Sequence, residues 1–278
     1  MEYRFPKTLD HVMQLISQNI SAQIIAGGTD MALKIKQKTA QPDLLVDITM
    51  IDELKQIKLN GHSLELGPCL TPTDILSIKN IDGKIPLALY EASSKMGTPA
   101  VRNLATLGGN IGTSSPAGDL STALLGLGAY VELYSVSGIR KIPLNDFFTG
   151  PGQNILKPGE LITGIIIPPF LKSGFIKLGQ RKALSISIVV IAGSIFEKKD
   201  KKLGLRLALG AVAPTPKRAF QAEKIFETED FYKEDLISLG EAASLESSPI
   251  SDVRASGEYR KEMVRVLTVK LVSIMLDT

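Results

Sequence analysis

Residues 24–30 read Ile24-Ile25-Ala26-Gly27-Gly28-Thr29-Asp30, and residues 106–113 read Thr106-Leu107-Gly108-Gly109-Asn110-Ile111-Gly112-Thr113. The first stretch predicts a strand over 23–26 that runs into two glycines and then a short helix over 31–38. Glycines in such a turn admit positive φ and let a ligand approach the main chain closely. Successive N–H groups there form an anion-binding nest, and a helix N-terminus adds a favourable dipole. The same residues also fit an ordinary strand–turn–helix in which Thr29 or Asp30 is the N-cap. The second stretch predicts an extended segment over 101–113 with a tight loop. Its Thr106, Asn110 and Thr113 side chains are of the kind that hydrogen-bonds phosphate or ribose, and the alternative is a polar surface loop with turn glycines. Asp119 follows after Ser114-Ser115-Pro116-Ala117-Gly118, placed to accept from a sugar hydroxyl. Two Gly-Gly turns with matching polar neighbours suit a dinucleotide, whose pyrophosphate needs two cradles.

Outward from these stretches the pattern is mixed α and β. Thr8 predicts the N-cap of a helix in which Leu9, Val12, Met13, Leu15 and Ile16 recur at helical spacing. A buried strand is expected over 44–48, and Asn60-Gly61 marks a two-residue hairpin between 56–59 and 63–66. Helices follow over 72–79, 86–96 and 120–127. Ser137-Gly138 marks a second hairpin, and an apolar strand over 161–167 ends at Pro168-Pro169. That Pro pair predicts a boundary between a domain over 1–169, with subdomains about 1–54 and 55–169, and another over 170–278. The second domain reads as three antiparallel strands (175–178, 187–196, 203–212) and helices over 217–226, 233–243 and 257–276. Lys177 falls on the first of these strands, with Gln180-Arg181-Lys182 just after it. A cation there would offset cofactor charge, or else it marks a solvent-facing side of the strand.

Composition narrows the function. With 278 residues the chain suits about two domains, at ~150 residues each. Lys plus Arg total 32 against 29 for Asp plus Glu, a net +3 that predicts no nucleic-acid partner. The apolar stretch 186–196 is shorter than the ~20 residues of a membrane span. The opening MEYRFPKTLD shows no secretory pattern, so a cytoplasmic protein is expected. Cys69 is the only cysteine, which excludes an intramolecular disulfide and a cysteine-ligated cluster. His11, in a helical pattern, and His62, after a tight turn, have no metal-ligand spacing and read as surface residues. No catalytic residue and no metal site are expected, and any redox chemistry must come from a bound organic cofactor. Gly126-Leu127-Gly128 ends a helix and precedes a strand, the reverse of the Rossmann order, so it reads as close helix packing. No GxxxxGK[ST] loop occurs, Asp52-Glu53 reads as a helix start, and the run 198–202 as a solvated hairpin tip.

The chain resembles the FAD-binding medium subunits of molybdenum hydroxylases, the group of xanthine dehydrogenase and aerobic carbon monoxide dehydrogenase. The AGG(T/N)(D/E/S) loop is matched by Ala26-Gly27-Gly28-Thr29-Asp30 and the T(I/L/V)GGN(I/L) loop by Thr106-Leu107-Gly108-Gly109-Asn110-Ile111. The SP-x-x-D tail is Ser115-Pro116-Ala117-Gly118-Asp119, the K-x-x-x-R element is Lys177 and Arg181, and D-x-R-A-S-x-x-Y-R runs from Asp252 to Arg260. The resemblance covers nearly the whole chain. It implies an α+β fold, a vanillyl-alcohol-oxidase-type FAD-binding domain of two subdomains followed by a C-terminal domain of a three-stranded antiparallel sheet plus helices. FAD would lie between the subdomains. Ile24, Ile25, Ala26, Gly27, Gly28, Thr29, Asp30 and Met31 would cradle its pyrophosphate and approach the isoalloxazine. Ala105, Thr106, Gly109 and Asn110 would bind the other side of the diphosphate, Asp119 the ribose and Ile162 the adenosine part, with Lys177 contacting the cofactor. Met96 stands where relatives carry an aromatic residue on adenine.

The resemblance further implies an electron-transfer subunit. An iron–sulfur small subunit would supply electrons, a molybdopterin large subunit would hydroxylate the substrate, and NAD⁺ or another acceptor would take the electrons. Two alternatives stay open on the residues alone. One is a stand-alone FAD-dependent reductase or oxidase of the same superfold; the other is a nucleotide-binding assembly module without redox chemistry.

Overall fold

A computed structural model describes residues 1–19, 21–78, 85–181, 184–227, 231–232 and 234–277. The first layer is a small parallel sheet ordered β1-β3-β2, built from β1 (Glu2–Arg4), α1 (Leu9–Gln18), β2 (Gln23–Ile25), α2 (Met31–Lys36) and β3 (Leu44–Asp47). Thr8 caps α1 by accepting from His11 N–H, and the apolar stripe Val12, Met13 and Ile16 packs with Leu44 and Val46. A single 3-10 turn, Asp52–Lys55, leads out of this layer.

The second layer is an antiparallel sheet ordered β4-β5-β10-β6-β7, with helices inserted between its strands. Its elements are β4 (Ile57–Asn60), β5 (Ser63–Leu66), α3 (Pro72–Ser77), α4 (Leu87–Lys95), α5 (Pro99–Leu104), α6 (Leu107–Thr113), α7 (Asp119–Gly126), β6 (Tyr130–Ser135), β7 (Gly138–Pro143), β8 (Phe148–Gly150), β9 (Gln153–Asn154) and β10 (Leu161–Ile167). Both predicted hairpins form, at Asn60-Gly61 and Ser137-Gly138. The helix expected over 72–79 ends at Ser77, and Lys79 lies outside the described residues.

The extended segment expected over 101–113 is instead two short helices, α5 and α6. Thr98 and Thr106 are both N-caps, accepting from Val101 N–H and Gly109 N–H, and Pro99 occupies the start of α5. Gly108 serves close packing rather than a turn, because a Cβ there would lie 2.6 Å from Pro68 Cβ.

The third layer is an antiparallel sheet ordered β11-β12-β13-β14 with helices on it. It consists of β11 (Lys172–Gly179), β12 (Ser187–Glu197), β13 (Leu203–Gly210), β14 (Lys217–Arg218), α8 (Phe220–Phe226), α9 (Asp235–Glu246) and α10 (Gly257–Asp277). It therefore has a short fourth strand where a helix was expected to start. Lys217 and Arg218 pair with Leu209 and Ala208, so the helix begins only at Phe220. The helix start expected at Lys233 lies outside the described residues, and α9 begins at Asp235. The run 198–202 is a turn closed by Lys198 N–H donating to Lys202 C=O at 2.8 Å.

Helix α7 sits at the centre of the molecule, and every one of its residues is buried. It packs on β12 and β13 as well as on α4 and α6. A Cβ on Gly126 would come within 2.7 Å of the Ala192 main chain, so helix and strand touch there, as expected for this stretch. One hydrophobic core joins Leu120, Leu124 and Ile165 to Phe175, Val190, Ala192 and Ala208 of the third layer. Among the described residues no helix is long and apolar enough to cross a membrane, and no cluster of His, Cys, Asp and Glu could hold a metal ion.

Candidate functional site

A cleft of about 440 Å³ opens between the first and second layers, within the ~300–1,000 Å³ usual for cofactor sites. Ile24, Ile25, Ala26, Gly27, Gly28, Thr29, Asp30 and Met31 line one side; Ala105, Thr106, Gly109, Asn110 and Ile162 line the other. Met96 also lines it. Of the residues proposed from sequence, only Asp119 and Lys177 lie elsewhere.

The first loop has the geometry of an anion cradle. The N–H groups of Gly27, Gly28 and Thr29, which are half-buried, have no acceptor among the described residues and are free to take a ligand. Gly28 holds φ at +70°, a value L residues rarely adopt. Gly27 is seated on the end of α5, where an added Cβ would lie 1.6 Å from Leu104 C=O. The residues after this turn continue into α2, whose position N-terminal to Met31 is taken by Asp30 without a side-chain cap.

The second Gly-Gly stretch works differently from the expectation. Leu107 N–H donates to Leu70 C=O at 2.9 Å, Gly108 N–H to Pro68 C=O at 2.8 Å, and Gly109 N–H to Thr106 Oγ1 at 3.0 Å. These N–H groups are thus already satisfied, and this wall is no second nest. Asn110 Oδ1 accepts from both Ser121 N–H (2.9 Å) and Ser121 Oγ–H (2.8 Å), which fixes the amide and leaves its Nδ2 for other partners. Thr113 Oγ1 donates to Asp30 Oδ2 at 3.3 Å, tying the two Gly-Gly stretches together across the cleft.

Asp119 is buried behind the Asn110 helix. Its Oδ2 accepts from Lys177 Nζ at 2.6 Å and its Oδ1 from Ser187 Oγ at 2.7 Å. Burial pushes its carboxyl above the usual range, and Lys177 and Ser187 oppose that shift. A ribose acceptor in the cleft is not what this geometry provides, because the carboxylate faces the third layer and is already engaged. Lys177 lines a second cavity with Lys95, Gln180 and Arg181; Lys182 lies outside the described residues. The late segment is structural. Arg260 is buried and donates to Ile188 C=O and Ala211 C=O, both at 2.9 Å, and to Asp252 Oδ1 at 2.7 Å.

Two charged residues of the cleft were not singled out from sequence. Lys34 pairs with Asp30 at 2.7 Å, and the signal was its position one helical turn after that residue. Glu160 lines the cleft from the turn before β10 and holds Arg140 through two hydrogen bonds of 2.7 Å. Those bonds keep its carboxyl below the usual range against an opposing effect of burial. Nothing in the sequence marked that pair. Both histidines are exposed and neither lines the cleft, in keeping with their reading as surface residues.

Residues 1–170 match the family described as the FAD binding domain in molybdopterin dehydrogenase, and residues 175–275 match the CO dehydrogenase flavoprotein C-terminal domain. The nicotinate dehydrogenase FAD-subunit of Eubacterium barkeri is 34% identical over 99% of this chain and 96% of its own. The xanthine dehydrogenase FAD-binding subunit of Escherichia coli is 32% identical over 98% of this chain and 94% of its own. Among solved structures, a carbon monoxide dehydrogenase chain from Hydrogenophaga pseudoflava superposes with a TM-score of 0.90 at 27% identity, covering 100% of this chain and 97% of that one. With a cradle of unpaired N–H groups at the matched AGGTD loop and both halves of the family in order, the chain belongs to the FAD-binding medium subunits of molybdopterin-dependent dehydrogenases, oxidoreductases of the xanthine and carbon monoxide dehydrogenase type, and its cofactor is FAD.

Proposed function

We propose that this chain is the electron-transfer subunit of a molybdenum-containing hydroxylase complex, working between a [2Fe–2S] small subunit and an acceptor such as NAD⁺, while a molybdopterin large subunit oxidises the substrate. The observation that carries the reading is the set of N–H groups at Gly27, Gly28 and Thr29, without acceptors among the described residues, in a loop that lines the cleft of about 440 Å³. FAD, when bound, supplies the exchange of electrons in pairs with one partner and singly with another.

The chain's own residues do the holding. The N–H groups of residues 27–29 would take the diphosphate, with Thr106, Gly109 and Asn110 closing the opposite wall. Ile24, Ile25, Ala105 and Ile162 would exclude water along the cofactor, and Met96 would pack a polarizable thioether on a ring. Lys177 would act from the neighbouring cavity, held by Asp119.

The test is biochemical. The purified chain is expected to bind one FAD, to turn yellow and to release the flavin on acid precipitation. Substrate-dependent bleaching of the flavin is expected only after mixing with the iron–sulfur and molybdenum chains, and NADH should reduce the flavin if NAD⁺ is the acceptor. Hydroxylation of an aldehyde or heterocycle by the metal-free single chain would overturn the subunit reading. A chain that stays colourless after incubation with FAD would overturn the site.

A further inference from the structure

Among the described residues, three ionisable side chains line the cleft: Asp30, Lys34 and Glu160. Glu160 is neutralised by Arg140 through paired hydrogen bonds of 2.7 Å each. That leaves Asp30 and Lys34, 2.7 Å apart. A dinucleotide diphosphate carries two negative charges, and the N–H groups of residues 27–29 offer only partial positive charge. Asp30 sits directly after that loop and would repel the ligand. Among the described residues that line the cleft Lys34 is the one full cation, and it stands one helical turn from Asp30 at the start of α2. Its ammonium carries three donors, of which Asp30 takes one. Asp30 is held in turn by Thr113 across the cleft at 3.3 Å.

We propose that Lys34 is a binding residue for the cofactor diphosphate: Asp30, anchored by Thr113, holds the ammonium at the cleft wall, and the remaining N–H donors of Lys34 take a phosphate oxygen. This rests on the FAD reading of the cleft and adds the cation that the Gly-Gly loops lack. Asp30 acts as the positioning residue, so its negative charge beside an anion site has a function rather than being a liability. A charge-assisted contact of this kind is ionic-strength dependent.

The experiment titrates the full apo-chain with FAD, with ADP and with riboflavin, using flavin fluorescence directly and ADP by competition. Lys34→Met should weaken FAD and ADP by the same factor, about tenfold at low salt, and leave riboflavin, which has no phosphate, unchanged. Lys34→Arg should restore FAD and ADP binding to within about twofold, since guanidinium also serves phosphate. The salt dependence of FAD binding should flatten in Lys34→Met. Unchanged ADP affinity in Lys34→Met would overturn the proposal, and so would an equal loss for riboflavin, which would show a merely structural role. A parent chain that binds neither FAD nor ADP would instead overturn the flavoprotein reading itself.

Discussion

Lys177 Nζ lies 2.6 Å from Asp119 Oδ2, and both side chains are at least nine-tenths buried. The pair joins α7 of the second layer to β11 of the third, and Ser187 of β12 completes it. Removing one member of such a pair leaves a buried charge without a partner, at a cost of ~3–5 kcal/mol. Asp119→Ala is therefore expected to act first on stability. Urea unfolding should show a large loss for Asp119→Ala and a smaller one for Asp119→Asn combined with Lys177→Met. A variant with parental stability and a selective loss of flavin affinity would show that Asp119 serves the ligand instead.

The two loop glycines should respond differently. At Gly27 a methyl group would overlap Leu104 C=O, so Gly27→Ala must move the loop off α5, and FAD binding is expected to be lost. At Gly28 the nearest atom to an added Cβ is Ile25 Cδ1 at 3.4 Å, so only the φ of +70° resists. That conformation costs an L residue ~1–2 kcal/mol, and Gly28→Ala should bind FAD about tenfold more weakly while still binding it. Flavin titration of both variants checks the order; equal affinities would show that the fit against α5 does not set the loop.

Glu160 predicts a pH effect of definite sign. Its folded-state pKa is lowered, chiefly by the Arg140 hydrogen bonds. The stability it contributes is full above the unfolded value near ~4.3 and is lost as pH falls through the folded value. Glu160→Gln should thus be less stable than the parent at neutral pH, and the gap should close in acid. Asp119, which is shifted in the opposite direction by burial, is common to both proteins and cancels in the difference. Denaturation curves taken across the acid range check this, and a gap independent of pH would refute it.

Arg260 separates motif from ligand site. It is buried against Ile188 C=O, Ala211 C=O and Asp252. Arg260→Met should destabilise the fold, by about 1–3 kcal/mol for each of the Ile188 and Ala211 carbonyls left without its donor. The folded fraction should keep parental FAD affinity, because none of these residues lines the cleft. Loss of flavin at unchanged stability would place the segment in the site after all.

The sequence made the architecture legible where periodicity and turn chemistry agree: Thr8 before an apolar stripe, Asn60-Gly61 and Ser137-Gly138 between alternating runs. It misled at 101–113, where glycines usually signal turns. There two Thr caps, Thr98 and Thr106, and a Pro at the first helical position outweigh them, and Gly108 is needed for contact with Pro68. Residues 217–218 misled for another reason: β-pairing to β13 is a long-range contact that no local pattern announces. The residues themselves marked the two Gly-Gly stretches of the cleft, whereas Met31, Ala105 and Ile162 were reached only through the family resemblance. The Lys177–Asp119 and Arg140–Glu160 pairs were not, because partners 58 and 20 positions apart leave no local trace in one sequence.

Helix α7 has a consequence for how this protein can be divided. The two family matches part near residue 170, yet α7, which lies wholly before that point, has the strands after it as part of its covering. Severing the chain there would uncover Thr122, against which Gly210 sits, and Gly126, against which Ala192 packs, and would strand Asp119 without its counter-ion. The seam visible in the sequence is thus crossed by packing in the structure. The halves share a core and a buried ion pair, so a graft of this flavin carrier onto another assembly keeps those contacts only if both move together.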